Sequence, residues 1–305
     1  MADFFKAEDL FGGALGRRGG EKFFAVLGYP AAHSLSPLMQ NAALKKIAET
    51  DEAFESARYV AIEAAPEELE RALEFLREKN FSGINLTIPH KEAAMHIAAE
   101  FDSSAKDARA CNTLFPVAGG WKAYNTDGFG ISAAAKLALG RGFENADVVL
   151  LGAGGAARGA AGEIIKERCR RLIVANRSAE RLAAFARDIR ESGFDLETAP
   201  LDKIESLVPD GAIILNATSV GLKDSDNPVL DFSKIPESCA FLDMPYRRNG
   251  ETASVLAARE RGLAAENGLA MLAWQGAKSL SIWTGKPLLG ALMLETLKEH
   301  LYGHK

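Results

Sequence analysis

Residues 83–91, Gly-Ile-Asn-Leu-Thr-Ile-Pro-His-Lys, place two hydrogen-bonding side chains and a lysine where they could act on one small polar molecule. Ile84, Leu86 and Ile88 alternate with Asn85 and Thr87, the pattern of a strand with one apolar and one polar face. Pro89 stops the ladder, and the spacing predicts a helix from Lys91 onward. Asn85 and Thr87 then leave the same face, with Lys91 in the first helical turn. An ammonium there meets the positive end of the helix dipole. That disfavours its charged form and suits a proton donor working near neutral pH. A solvated lysine at a helix start is the alternative.

Further polar groups recur along the chain. Ser34 and Ser36 stand two apart at a loop-to-helix junction, where two hydroxyls and free helix N–H groups make a neutral cradle for a carboxylate. One N-cap serine and one bystander is the competing reading there. Asn112-Thr113 and Asn125-Thr126-Asp127 repeat an Asn-Thr theme. Asp127 is expected to N-cap its helix. A carboxylate near Lys91 would also hold the ammonium and favour its charged form, so the two would act as a coupled acid/base pair.

A second chemistry sits at Gly152-Ala153-Gly154-Gly155-Ala156-Ala157-Arg158. Gly152 permits a tight strand-to-helix turn, and Gly154 lets a pyrophosphate approach the backbone. Ala157 stands at the third position of the G-x-G-x-x-G/A fingerprint. The helix N-terminus offers N–H groups and a positive dipole end to the anion. An NAD site usually carries an acid at the end of the next strand. Here stand Asn176, Arg177 and Ser178, with Arg181 one turn on. Guanidinium groups suit a 2′-phosphate, so the expected cofactor is NADP. Surface charges beside a helix start are the alternative for both arginines.

The elements that must hold these groups alternate. Strands are expected at 23–27, 58–62 and 84–88, with helices at 37–47, at 66–78 and from Lys91. Ser36 is the expected N-cap of the helix that opens on Pro37, and Leu69, Leu73 and Leu76 share one stripe of the next. This βαβα order implies a parallel or mostly parallel sheet covered by helices. After a turn-rich bridge at 113–121, a helix at 127–138 leads to strands at 147–151, 171–175, 212–215 and 240–243. The tail from residue 267 reads as helical, with no strand left to cover, and is expected to return to the first domain. The fold class is α/β with two domains. Residues 1–126 plus 267–305 form a catalytic domain with a mostly parallel sheet, and 127–266 a Rossmann-type doubly wound domain. Hinges are expected near 126 and 266, and residues 1–20 read as a polar, Gly-rich, partly mobile lead-in.

Composition bounds the rest. Two domains are the better expectation for 305 residues, and 48% hydrophobic with 25% charged content is that of an ordinary globular protein. A net charge of −5 gives no electrostatic reason to expect nucleic acid or an anionic membrane. No apolar run reaches membrane-spanning length, and the first residues lack signal-peptide order. Cys111, Cys169 and Cys239 lack CxxC spacing, which points away from a disulfide framework or zinc site and toward a reducing cytoplasm. No His/Cys/Asp cluster offers a metal site.

Ser34-Leu-Ser36-Pro, Asn85-Leu-Thr87-Ile-Pro-His-Lys91, Asn112-Thr113-Leu, Asn125-Thr-Asp127-Gly, the 152–158 turn, Asn216-Ala-Thr218-Ser-Val-Gly and Gln275-Gly-Ala stand in one order. Together with Trp283-Thr-Gly, they resemble the shikimate dehydrogenase family from about Phe23 to the C-terminus. The resemblance implies reversible NADPH-dependent reduction of 3-dehydroshikimate to shikimate, on the route to chorismate and aromatic amino acids. It implies that Ser34 and Ser36 bind the substrate carboxylate, with Tyr246 nearby. Asn85, Thr87, Asn112 and Gln275 would bond ring hydroxyls, and Lys91 and Asp127 would be the acid/base pair. Gly152, Ala153, Gly154, Gly155, Ala156, Asn176, Arg177, Ser178, Arg181, Thr218 and Gly268 would line the cofactor. Three positions depart from the family pattern: Gln40 before Asn41, Cys111 before Asn112, and Pro245 before Tyr246. The serine pair favours shikimate over quinate. The competing readings are a broad-specificity quinate/shikimate dehydrogenase using NAD, a methylene-tetrahydrofolate dehydrogenase, and a catalytically silent NADP-binding regulator. Oligomeric state is left open, with a homodimer as one option.

Overall fold

Runs of β-branched and aromatic residues build two sheets, each in its own unit with its own core. The computed structural model describes residues 4–12 and 21–303. The first sheet holds β1 (Phe4–Lys6), β2 (Phe23–Gly28), β3 (Arg58–Glu63), β4 (Gly83–Leu86), β5 (Glu100–Phe101), β6 (Thr113–Val117) and β7 (Gly120–Tyr124), in the order β1-β3-β2-β4-β6-β7-β5. β1, β3, β2 and β4 run parallel, while β6 is antiparallel to β4 and β7 to β6. The expected turn-rich bridge is therefore a hairpin. Val117 pairs with Gly120 across Ala118-Gly119, and Gly119 adopts the left-handed φ of +87° that such a tight turn requires.

Helices α1 (Ala7–Phe11), α2 (Ser36–Ala48), α3 (Leu69–Glu78), α4 (His90–Ala93) and α5 (Ser103–Ala108) belong to this unit. On α3, Leu69, Ala72, Leu73 and Leu76 are all buried, the stripe the leucine spacing predicts. Burying each leucine contributes roughly 1.5–3 kcal/mol. Within the expected lead-in, β1 pairs with β3 and Leu10 of α1 joins the core. Phe4, Phe5 and Leu10 supply the apolar surface that a purely polar reading of the segment overlooked. Residues 13–20 of that lead-in lie outside the described residues.

The second sheet is wholly parallel. It contains β8 (Asp147–Leu151), β9 (Arg171–Asn176), β10 (Glu197–Pro200), β11 (Ile213–Asn216), β12 (Ala240–Asp243) and β13 (Ala264–Glu266) in the order β10-β9-β8-β11-β12-β13. That order is the doubly wound arrangement of dinucleotide-binding folds, with its switch point beside β8. Its central strands are buried on both faces, which is why they read as unbroken apolar runs. Around it stand α6 (Asp127–Ala133), α7 (Gly155–Lys166), α8 (Ala179–Glu191) and α9 (Ala253–Glu260).

Two long helices, α10 (Gly268–Thr284) and α11 (Gly290–Tyr302), close the chain. Contacts divide it into Met1–Asp127 with Ala273–Leu297, and Gly128–Leu272 with Lys298–Lys305. The divisions fall inside α6, next to the expected 126, inside α10, six residues beyond the expected 266, and inside α11. Lys298 belongs with the second unit because its Nζ lies 2.6 Å from Glu266 Oε2, and Tyr302 Oη lies 3.2 Å from Asn267 Nδ2. Trp283 anchors α10 to the first sheet, stacking on Phe24 at 5.3 Å and donating from Nε1 to the Leu114 carbonyl. Among the described residues no helix is long and apolar enough to cross a membrane.

Candidate active site

Lys91 Nζ stands 2.6 Å from Asp127 Oδ2, joining two residues 36 apart in the chain. β4 ends at Leu86, so Thr87, Ile88 and Pro89 form a turn instead of extending the strand. Ile88, expected on the apolar face, is 74% exposed. The helix that follows is a single turn, α4, so few aligned peptide dipoles stand behind Lys91. The nearest charge on Lys91 is therefore the carboxylate. Asp127 is the first residue of α6, one place beyond the expected N-cap position, and Asn125 Oδ1 takes its N–H at 2.9 Å. Asp127 Oδ1 accepts from Asn112 Nδ2 at 2.9 Å.

The Asn112 amide can face only one way. The Thr126 backbone N–H donates to its Oδ1 at 2.8 Å, so Nδ2 must point toward Asp127. Gln275 Oε1, on α10, lies 3.2 Å from the same Nδ2. Lys91, Asp127, Asn112 and Gln275 thus form one cluster of charged and neutral donors and acceptors. Beneath it, Asn85 accepts from the Tyr59 hydroxyl at 2.8 Å and donates to the Asn112 carbonyl, Thr113 Oγ1 and Ser279 Oγ. These bonds occupy both Nδ2 hydrogens and one of the two acceptor sites on Oδ1, and Asn85, only 6% exposed, braces Asn112 from below. Tyr59, Thr126 and Ser279 were not singled out from the sequence. The Asn-Thr repeat was the available signal for Thr126, and one turn's spacing from Gln275 the signal for Ser279.

Ser34 and Ser36 lie at the start of α2, although neither caps it as expected. Leu35 occupies the N-cap position, and Ser34 Oγ accepts the Ser36 N–H at 3.2 Å. Ser36 is buried beside Tyr59. The Thr87 methyl packs against Gly28, where a Cβ would stand 2.3 Å away. His90 is buried, its Nε2 against the Ala64 carbonyl at 2.9 Å, and burial lowers its pKa, which keeps it neutral. Among the described residues no group of three or more His, Cys, Asp or Glu side chains could hold a metal ion.

In the second unit the glycine-rich turn has the shape its sequence predicts. Gly152 takes φ +113°, and a Cβ there would meet the Ala217 carbonyl at 3.0 Å. Gly154 caps α7 with no side-chain hydrogen bond, and a Cβ on Gly154 or Gly155 would meet nothing of the protein within 4 Å. The open backbone at 154–156, with the first N–H groups of a twelve-residue helix behind it, fits a pyrophosphate. At the end of β9, Arg177 and Arg181 are exposed and form no ion pair among the described residues. Ser178 caps α8, accepting from the Arg181 N–H at 3.3 Å, and Asn176 Nδ2 donates to the Ser178 carbonyl. Gly268 has an internal reason to be glycine: a Cβ would stand 1.9 Å from the Met244 carbonyl oxygen. Burial raises the pKa of Tyr246.

Three family profiles match the chain. They are the shikimate dehydrogenase substrate binding domain over residues 26–114, shikimate / quinate 5-dehydrogenase over 133–239, and the shikimate 5′-dehydrogenase C-terminal domain over 268–298. The chain belongs to the shikimate dehydrogenase family. A curated relative from Methanothrix thermoacetophila, a shikimate dehydrogenase (NADP(+)), is 38% identical over 264 residues, 87% of this chain and 92% of the relative. The shikimate 5-dehydrogenase of Thermus thermophilus, solved with NADP(H) and shikimate, superposes with a TM-score of 0.77 at 35% identity, covering 92% of this chain and all of that one. The ligand-free 5-ketofructose reductase of Gluconobacter sp. strain CHM43 has a TM-score of 0.79 at 26% identity, covering 93% and 99%.

The three departures from the shikimate dehydrogenase pattern all have structural settings. Gln40 is buried and donates to the Gly276 carbonyl at 3.0 Å. Burial pushes the Cys111 thiol up to about 12, against the opposing effect of Lys91, so it stays protonated and is no nucleophile. The Pro245 carbonyl takes the Gly268 N–H at 3.1 Å.

Proposed function

We propose that this protein catalyses the reversible, NADPH-dependent reduction of 3-dehydroshikimate to shikimate, on the route to chorismate, in the cytoplasm. The observation that carries this reading is the Lys91–Asp127 pair at 2.6 Å, with the Asn112 amide locked onto the second carboxylate oxygen. Lys91 gives a proton from Nζ to the ketone oxygen as negative charge develops there, and regains it from solvent. Such positioned proton transfer contributes about 10²–10⁴-fold. Asp127 keeps Nζ in place and also accepts from a ring hydroxyl. Asn112 and Gln275 supply a donor and an acceptor for neighbouring hydroxyls, with Asn85 and Thr87 on the β4 side. Ser34, Ser36 and Tyr246 receive the carboxylate.

The residues of the second unit fit NADP. The 152–156 backbone would hold the pyrophosphate, Arg177 and Arg181 the 2′-phosphate, and Asn176, Ser178, Thr218 and Gly268 would complete the lining. When bound, NADPH supplies the hydride to the ketone carbon. No carboxylate stands at the end of β9 to favour the 2′-hydroxyl of NAD.

The direct test follows NADP⁺ reduction at 340 nm with shikimate, beside quinate and beside NAD⁺, for the wild type and Lys91→Ala. Activity with shikimate and NADP⁺, poor turnover of quinate, and a variant slower by about 10²–10⁴-fold in kcat with shikimate binding retained is the expected result. Comparable rates with quinate or NAD⁺ would assign the broad-specificity reading. Tight NADP⁺ binding with no turnover would exclude shikimate as substrate.

A further inference from the structure

We propose that Asp243 is a positioning residue: buried under the 216–221 and 243–246 segments, its carboxyl holds Asn216 and, through Asn216, the loop that carries Thr218. The proposal rests on the reading of Thr218 as a cofactor contact. Asp243 is 0% exposed at the end of β12, so it touches no ligand itself. Its Oδ1 accepts from Asn216 Nδ2 at 2.7 Å, and its Oδ2 lies 2.5 Å from Thr252 Oγ1. Asn216 is its register partner on β11, and the Met244 N–H donates to the Asn216 carbonyl at 3.0 Å, so the two strand ends are tied directly.

The Asn216 side chain staples the loop by both ends. Its Oδ1 accepts from the Thr218 N–H at 3.0 Å and from Thr218 Oγ1 at 2.7 Å. Its Nδ2 donates to the Val220 carbonyl at 3.1 Å, and Thr218 Oγ1 takes the Val220 N–H at 3.1 Å. A backbone N–H can only donate, so Thr218 fixes the amide with oxygen outward and nitrogen toward Asp243. Asp243 is then the acceptor that keeps Asn216 in this orientation. Gly221 takes φ +109°, a left-handed conformation that glycine adopts without strain, at the end of this loop.

Among the described residues no charged side chain acts on Asp243. Burial is the dominant influence on its carboxyl, opposed by Thr252 and Asn216, and it pushes the pKa up to about 7. An asparagine can reproduce the contacts of the protonated acid, accepting from Asn216 and donating to Thr252 Oγ1. A valine of similar volume cannot.

NADP⁺ affinity by fluorescence titration, kcat at saturating cofactor, and thermal unfolding would be compared for wild type, Asp243→Asn and Asp243→Val. Asp243→Asn should bind within about twofold of wild type. Asp243→Val should remain folded but bind about tenfold more weakly, the effect of one lost hydrogen bond, with kcat little changed. A space-filling role alone would leave the valine variant's affinity intact, and that result, or an asparagine variant as weak as the valine, overturns the proposal. If the valine variant fails to fold, the Asn216 side-chain amide protons of the wild type decide by NMR: slow exchange is expected and free exchange overturns it. Wild type that does not bind NADP⁺ sinks the cofactor reading and the proposal together, whereas binding that ignores residue 243 sinks only the proposal.

Discussion

At the scale of single residues, two carboxyls show how surroundings set chemical roles. Asp127 is half-buried with a cation on one oxygen and an amide on the other, and Asp243 is fully buried with no cation beside it among the described residues. Asp127→Asn would remove the charge holding Lys91 and give Asn112 an amide to face. Its kcat/KM with shikimate should fall roughly 10–10³-fold, measured beside Lys91→Ala. Asp243 makes a prediction about stability. Its folded pKa, near 7, lies above the unfolded value of 3.8, so its contribution is fully present below pH 3.8 and is lost as pH rises toward 7. The loss reaches about 4 kcal/mol at most, since each pKa unit is 1.36 kcal/mol. Urea unfolding of wild type and Asp243→Asn at pH 5 and pH 8 checks it. The variant should gain on wild type at the higher pH, and a difference that does not change with pH would place the carboxyl pKa elsewhere. Lys91, Asp127 and Asn112 were legible in the sequence because each is polar within a recognisable pattern, whereas Gln275 stood out only through the family resemblance. Tyr59, Ser279 and Asp243 were not legible, because a buried polar residue reveals its role only through partners brought by distant strands.

Among elements, those with strong periodicity appear where expected, and those decided by neighbours do not. The α3 stripe and the β8 turn follow from spacing. β4 stops two residues early: Thr87 N still donates to the Leu27 carbonyl, and the chain then turns through Ile88 and Pro89 into α4. Glycines separate packing from ligand roles. Gly83→Ala would drive a Cβ to 2.3 Å from the Trp283 ring where α10 crosses the first sheet. It should cost roughly 1–3 kcal/mol of stability, seen as a lower thermal midpoint. Gly154→Ala meets no protein atom and has φ −92°, open to any residue. That variant should melt like wild type yet bind NADP⁺ at least about tenfold more weakly, because the new methyl occupies the approach to the pyrophosphate. Unchanged affinity would argue against a nucleotide at this turn.

On the scale of the whole molecule, the chain builds two cores and exchanges its ends between them. The first strands and the middle of the C-terminal helices share one unit, while Lys298 and Tyr302 return to the other. Lys298 bonds Glu266, and Tyr302 bonds Asn267 and the Arg247 carbonyl, so the end of α11 braces the segment after β12. Lys298→Met with Tyr302→Phe should raise amide exchange in residues 243–268 and leave β2–β4 unchanged. Equal loosening of both regions would contradict that assignment.

The sequence alone determined the parallel second sheet, the glycine turn, the absence of an acid after β9 and the polar character of Asn85, Thr87, Lys91, Asn112 and Asp127. All are set by local pattern: side-chain periodicity, backbone freedom at glycine, and charge. Only the tertiary structure decided that Asn125 takes the Asp127 N–H at the start of α6, that Asn85 is tied to Asn112 from below, that residues 113–124 form a hairpin, and that Asp243 bonds Asn216 across neighbouring strands. Each depends on which hydrogen-bonding partner is nearest once distant segments meet, and no spacing along the chain encodes that competition.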